Sequence, residues 1–197
     1  MPASPTYTPL LPLGVGVGYK PEHFQDIQDV SQDLVWLEIH AENYMGDGGR
    51  PIAQLRHLSE KFSISCHGVG LSIGGEAQLD MDHLDRLKYL LNWLKPVQFS
   101  EHLAWSSHGQ NFYNDLLPVP YNRPTANRVV DHINQVQDYL RTQMLLENPS
   151  NYLAFATSDM SEIDFLTDIT KRTGCGLLMD VNNIYISAVN QKFSPYD

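Results

Sequence analysis

Two kinds of apolar pattern alternate along the chain. Short, β-prone runs occupy residues 34–40, 62–66, 97–102, 144–147 and 176–181. Between them lie longer stretches whose apolar residues recur every three or four positions. These are Ile52, Leu55 and Leu58; Met81, Leu84, Leu87, Leu90 and Leu91; Val129, Ile133, Val136 and Leu140; and Ile163, Leu166 and Ile169. The first pattern predicts buried strands, and the second predicts helices with one inward stripe. Strands that alternate with helices predict a parallel sheet.

Residues 13–19 add a glycine-rich strand. Its alternating glycines do not form a dinucleotide fingerprint, because Lys20-Pro21 follows where a helix would have to open. Small residues in a strand point instead to tight packing or close backbone approach. Pro21 opens a short helix expected to run to about Val30. Thr125 is the expected N-cap of the longest helix, 125–143, and Thr173-Gly174 ends the helix expected over 159–172. The stretch from Trp105 to Tyr121, with Phe112, Tyr113, Pro118 and Pro120, is expected to be a long aromatic loop. Residues 1–12, with four prolines, form an irregular lead-in.

The βα units recur about every 30 residues, which suits a (β/α)8 TIM barrel of about 250 residues. The 197 residues supply about six such units. The expectation is a single α/β domain over residues 1–197, a TIM barrel truncated after about six units. An open, doubly wound sheet is the competing architecture.

A net charge of −10 argues against nucleic acid as a partner, since that needs a basic surface. No charged-plus-apolar leader and no membrane-length apolar run is visible. Cys66 and Cys175 are isolated inside strand-like runs, which fits a reduced, cytoplasmic setting better than a disulfide framework.

Chemistry gathers where the strands end. The third strand runs into His67, the fourth into His102, the fifth into Glu147-Asn148, and the sixth into Asp180 with Asn182 and Asn183 beyond. In a parallel α/β protein those ends meet at one mouth. Imidazole mixed with carboxylate suits iron, manganese or zinc. His67, His102, Glu147 and Asp180 are therefore the expected metal ligands, and Asn183 could add an amide oxygen. His40 and Glu42 can reach the mouth as outer contacts. Glu101 points away from His102 on a continuing strand, as Cys66 does from His67. A single strand-end carboxylate is often only a helix cap, and a single histidine is often only a structural hydrogen-bonding group. It is the repetition over four strands that carries the metal reading. His23, His57, His83, His108 and His132 are expected on surfaces or helix faces.

Five motifs then come together: Glu38-Ile-His40-Ala-Glu42-Asn43-Tyr-Met45, His67-Gly-Val-Gly-Leu-Ser72, Ser100-Glu101-His102-Leu-Ala-Trp-Ser106, Leu146-Glu147-Asn148-Pro-Ser150 and Met179-Asp180-Val-Asn-Asn183. In this order they resemble the DUF692 (UPF0276) family of multinuclear non-haem iron-dependent oxidative enzymes, which includes the methanobactin-biosynthesis oxidase. The resemblance implies a xylose-isomerase-like TIM barrel whose mouth holds two or three iron ions. It implies dioxygen-dependent modification of cysteines in ribosomally made peptides, often with a partner protein that presents the peptide. Carried over by motif, His67, His102, Glu147, Asp180 and Asn183 match metal-ligand positions, with Glu147 as a bridging candidate. His40, Glu42, Asn43, Glu101, Asn148 and Asn182 are left as outer or substrate contacts.

The family's later ligands, after the seventh and eighth strands, have no counterpart in the 197 residues. The expectation is therefore fewer metals than in a complete member, or none held tightly. Two other readings compete: a metal-dependent isomerase or endonuclease on the same barrel without redox chemistry, and a truncated, non-catalytic member.

Overall fold

A computed structural model of the chain describes residues 11–29, 34–108 and 111–196. Most of the expected lead-in and the expected helix end at Val30 lie outside the described residues. The elements in chain order are β1 (Gly16–Gly18), a 3₁₀ turn (Pro21–His23) leading into α1 (Phe24–Asp29), β2 (Trp36–His40), a second 3₁₀ turn (Ala41–Tyr44), α2 (Arg50–Ser59), β3 (Ser63–Gly68) and α3 (Met81–Leu94). There follow β4 (Gln98–His102), β5 (Trp105–His108), β6 (Asn111–Leu117), α4 (Arg123–Leu140), β7 (Met144–Glu147), α5 (Glu162–Thr173), β8 (Gly176–Leu178) and α6 (Val181–Gln191).

Six strands form one sheet in the order β1-β2-β3-β4-β7-β8, and every neighbouring pair is parallel. Each strand lies beside the one before it in the chain, so the winding never reverses. A doubly wound sheet reverses at its switch point. One-way winding is how the wall of a (β/α)8 barrel is laid down, and six βα units of that wall are present.

Register decides which side chains face where. Leu37, Ile64, Phe99 and Met144, with Ile39, Cys66 and Leu146, share the helix-facing side and are almost wholly buried. There they meet Leu55, Leu58, Leu84, Leu87, Leu90, Val129, Ile133, Val136, Phe165 and Ile169 from the helices. The opposite face is polar: Glu38, Ser65 and Gln98 lie level across three strands, and Gln98 donates to Ser65 Oγ at 3.1 Å. One row further on lie His40, His67 and Ser100, and beyond them His102 and Glu147. The apolar core is thus outside the wall, and polar groups line its inside. At Gly16, an added Cβ would fall 2.0 Å from the Trp36 ring, so β1 needs glycine for close approach.

Several local expectations are corrected. Asn122, not Thr125, caps α4, its side chain accepting the Thr125 N–H at 3.0 Å. Ser161 caps α5, so that helix starts later than expected and Phe165 takes an inward position while Ile163 is exposed. Met81 is likewise exposed at the first turn of α3. The aromatic loop is instead largely an antiparallel ribbon of β5 and β6, with Trp105 and Tyr113 edge to face. His132 is buried, its Nδ1 2.9 Å from the Ile73 carbonyl, and His83 turns inward to Glu42. Both lie on helices, as expected, but on faces turned inward rather than to solvent.

Candidate metal centre

β3, β4 and β7 are consecutive in the wall, and each ends in a polar residue on its inner face. His67, His102 and Glu147 therefore converge, with one ligand atom from each within 4.8 Å of the others. His67 Nε2 lies 2.8 Å from His102 Nε2 and 3.1 Å from Glu147 Oε2. His102 Nδ1 is also 3.1 Å from Glu147 Oε2. All three side chains are largely shielded from solvent. Burial, the leading cause, together with the neighbouring His67 and His40 rings, pulls His102 down to about 4 against the opposing pull of Glu147. The ring is neutral at neutral pH, which is the form a metal requires.

Groups behind His67 and Glu147 hold their orientation. Ser100 Oγ sits 2.7 Å from His67 Nδ1, leaving Nε2 aimed into the cluster. Asn183 Nδ2 donates to Glu147 Oε1 at 3.1 Å and to the Asn148 carbonyl at 2.9 Å. Metal-binding histidines and carboxylates are commonly held by such outer partners. Two imidazoles and one carboxylate aimed at a shared point, with His67 and Glu147 each tethered from behind, fit a cation of the iron, zinc or manganese type.

The other expected ligands take different places. Asp180 stands just past β8, but its Oδ1 caps α6 by accepting the Asn183 N–H at 3.0 Å. It is not among the three converging groups. Asn183 turns its N–H, not its oxygen, toward Glu147. Asn148 is buried, pairing through its amide with the backbone of Asp180 at 2.7 and 3.0 Å. Asn43 and Asn182 are exposed. His40 is exposed at the mouth, its ring centroid 5.8 Å from that of His67.

Glu42 and Glu101 flank the centre. Glu42 Oε1 accepts the Val69 and Gly70 N–H groups and lies 3.4 Å from His83 Nε2. Burial pushes its carboxyl up, but the nearby His83 and the backbone N–H groups outweigh that and hold it below the usual range. Burial and then the charge of Glu42 push Glu101 well up, against the pull of two backbone N–H groups. Ser100 was not foreseen from the sequence. Its signal was period-two spacing: two residues before His102 on a strand, it shares that residue's face.

Residues 14–197 match the model of the family described as RiPP precursor modification enzyme MbnB/TglH/ChrH. A UPF0276 protein of Paraburkholderia phytofirmans is 50% identical over 180 residues, covering 91% of this chain and 59% of its own length. One of Rhizobium meliloti is 48% identical over 183 residues, covering 92% and 59%. The chain thus spans about three fifths of these relatives. An L-ribulose 3-epimerase structure superposes with a TM-score of 0.58 at 14% identity, over 87% of this chain and 62% of its own. A D-allulose 3-epimerase from Methylomonas sp. gives 0.54 at 13%, over 92% and 67%. At such identities the likeness is one of fold alone. The family match spans all three converging groups, and on it the chain belongs to the RiPP precursor modification enzyme family MbnB/TglH/ChrH.

Proposed function

We propose that this chain carries part of the metal site of an enzyme that oxidatively modifies cysteine residues of a ribosomally made peptide. The observation that carries the reading is the buried convergence of His67, His102 and Glu147 at the ends of three adjacent strands. The family description supplies the peptide as substrate class.

In this reading those three side chains hold one ion, iron by preference, with zinc or manganese as substitutes. An iron ion bound there would supply one-electron and dioxygen chemistry. The residues present do the rest. Neutral His102 offers a lone pair without first having to lose a proton. Glu147 neutralises part of the cation's charge, and Asn183 keeps the carboxylate from rotating. Ser100 holds the His67 ring through Nδ1, with Nε2 toward the cluster. Asp180 serves as the cap that brings Asn183 into place. His40, exposed beside His67, and the aromatic ribbon of β5 and β6 form the wall against which a peptide would lie. A partner protein that presents the peptide belongs to the same proposal.

Anaerobic Fe²⁺ titration of the purified chain, with metal analysis after desalting, tests the centre. One ion per chain is the expected result, lost in His67→Ala, His102→Ala and Glu147→Ala. Equal uptake by those three variants, or two to three irons on the parent, would refute it. Dependence of peptide modification on dioxygen separates the oxidative reading from an isomerase on the same barrel.

A further inference from the structure

We propose that Glu42 and Glu101 are positioning residues whose carboxylates clamp the backbone carrying His67 and His102. The inference rests on the metal reading above and concerns what sets that centre's geometry. The residues next to His67 in the chain are Gly68, Val69, Gly70 and Leu71. Three successive amides of this loop are gripped from the 3₁₀ turn that follows β2 and from β4. Val69 N–H and Gly70 N–H donate to Glu42 Oε1 at 3.0 and 2.9 Å, and Leu71 N–H donates to Glu101 Oε2 at 3.3 Å. The other oxygen of Glu101 accepts the N–H of His102 itself at 3.1 Å. Glu101 therefore ties the third strand's loop to the fourth strand's ligand through one rigid carboxylate.

The glycines are spaced for these carboxylates. A Cβ at Gly68 would lie 2.5 Å from Glu101 Oε2. A Cβ at Gly70 would lie 2.7 Å from His83 Cε1 and 3.1 Å from Glu42 Oε1. Such contacts leave no room for a side chain unless the clamp opens. By its strand parity with Phe99, Glu101 lies on the helix-facing side, behind the wall from His102. It touches no ligand atom of the centre, so its influence passes through the backbone. Glu42 Oε2 is buried without a hydrogen-bond partner, so Oε1 alone does the gripping. A carboxylate kept at that cost, rather than an apolar side chain, calls for a reason beyond packing.

The test uses Co²⁺ as the probe, read by its visible absorption, together with amide exchange. Glu42→Ala removes the clamp. Gly70→Ala opens it without changing any charge. Glu42→Gln keeps an oxygen for both amides. Both alanine variants are expected to bind Co²⁺ roughly 10- to 100-fold more weakly, with an altered spectrum, while Glu42→Gln restores most of the affinity. Exchange at Val69, Gly70 and Leu71 is expected to quicken in the alanine variants while that of the α4 amides does not.

Unchanged exchange in Glu42→Ala would overturn the clamp. Quickened exchange with parental Co²⁺ affinity and spectrum would overturn its positioning role. If the parent takes up no Co²⁺, the metal reading fails on its own. The clamp is then judged by exchange and by the ring-nitrogen shifts of His67, which move in Glu42→Ala only if the clamp orients the ring.

Discussion

Cys66 and His67 are neighbours in the chain and opposites in the fold. The strand sends Cys66 into the helix-facing core, where none of it is exposed, and His67 toward the mouth. Burial is the chief cause that pushes the Cys66 thiol up; the charges of Glu42, Glu101 and Glu38 add to it. Cys175 is also buried and is raised for the same leading reason. Since the thiolate is the reactive form, both cysteines are held in the unreactive form. A thiol-titrating disulfide reagent should react with neither at neutral pH until the chain is unfolded, when both should appear. Fast reaction of either in the native chain would mean that its strand is placed wrongly. This alternation was legible in the sequence, because period two is fixed by backbone geometry. The fate of Asp180 was not. A carboxylate between a strand and a helix satisfies the spacing of a ligand and of a helix cap equally well, and the sequence does not show that Oδ1 takes the cap on the Asn183 N–H.

Among the elements, the β6–α4 connection, the β7–α5 connection and the start of α5 are joined at one polar knot. Glu162 Oε2 accepts from Asn151 Nδ2 at 2.7 Å and from Tyr121 Oη at 3.1 Å. Burial pushes Glu162 upward more than these bonds pull it down. A carboxyl raised on folding adds stability that is fully present below its unfolded value, about 4.3, and is lost as pH rises through the folded value. Glu162→Gln removes that dependence, and its single amide oxygen can still accept both bonds, which already fall on one oxygen. The melting temperature of Glu162→Gln relative to the parent should therefore climb as pH is raised from 4 to 8. A constant difference would show that the carboxyl titrates alike folded and unfolded. The sequence revealed the helices of this region through their apolar stripes, and Val129, Ile133, Val136 and Leu140 are all buried. It did not reveal the β5–β6 ribbon. Residues 111–117 are almost all exposed, so burial imprints no alternation on them, and only pairing with β5 makes them a strand.

For the whole molecule, the sheet's two outer strands set the remaining physics. Among the described residues, β1 and β8 each pair on one side only. Leu177 and Met179 are exposed at the β8 edge. On α6, Val181, Tyr185 and Val189 are spaced four apart, so they share one face, and each is more than 60% exposed. An apolar stripe of this kind on a helix beside an unpaired strand is a surface that associates in water. The net charge of −10 opposes association through mutual repulsion but cannot remove the apolar area. The purified 197-residue chain should therefore show concentration-dependent self-association in sedimentation velocity. Replacing Val181 and Val189 with Gln leaves the charge unchanged and puts a better helix former at both positions. That double variant should sediment closer to a monomer, with a melting temperature within about 2 °C of the parent, since surface changes away from buried contacts cost little. An unchanged distribution would place the association elsewhere, with the β1 edge next in line. Added salt separates the two forces at work: screening the charges should strengthen association of the parent while leaving the double variant nearly monomeric.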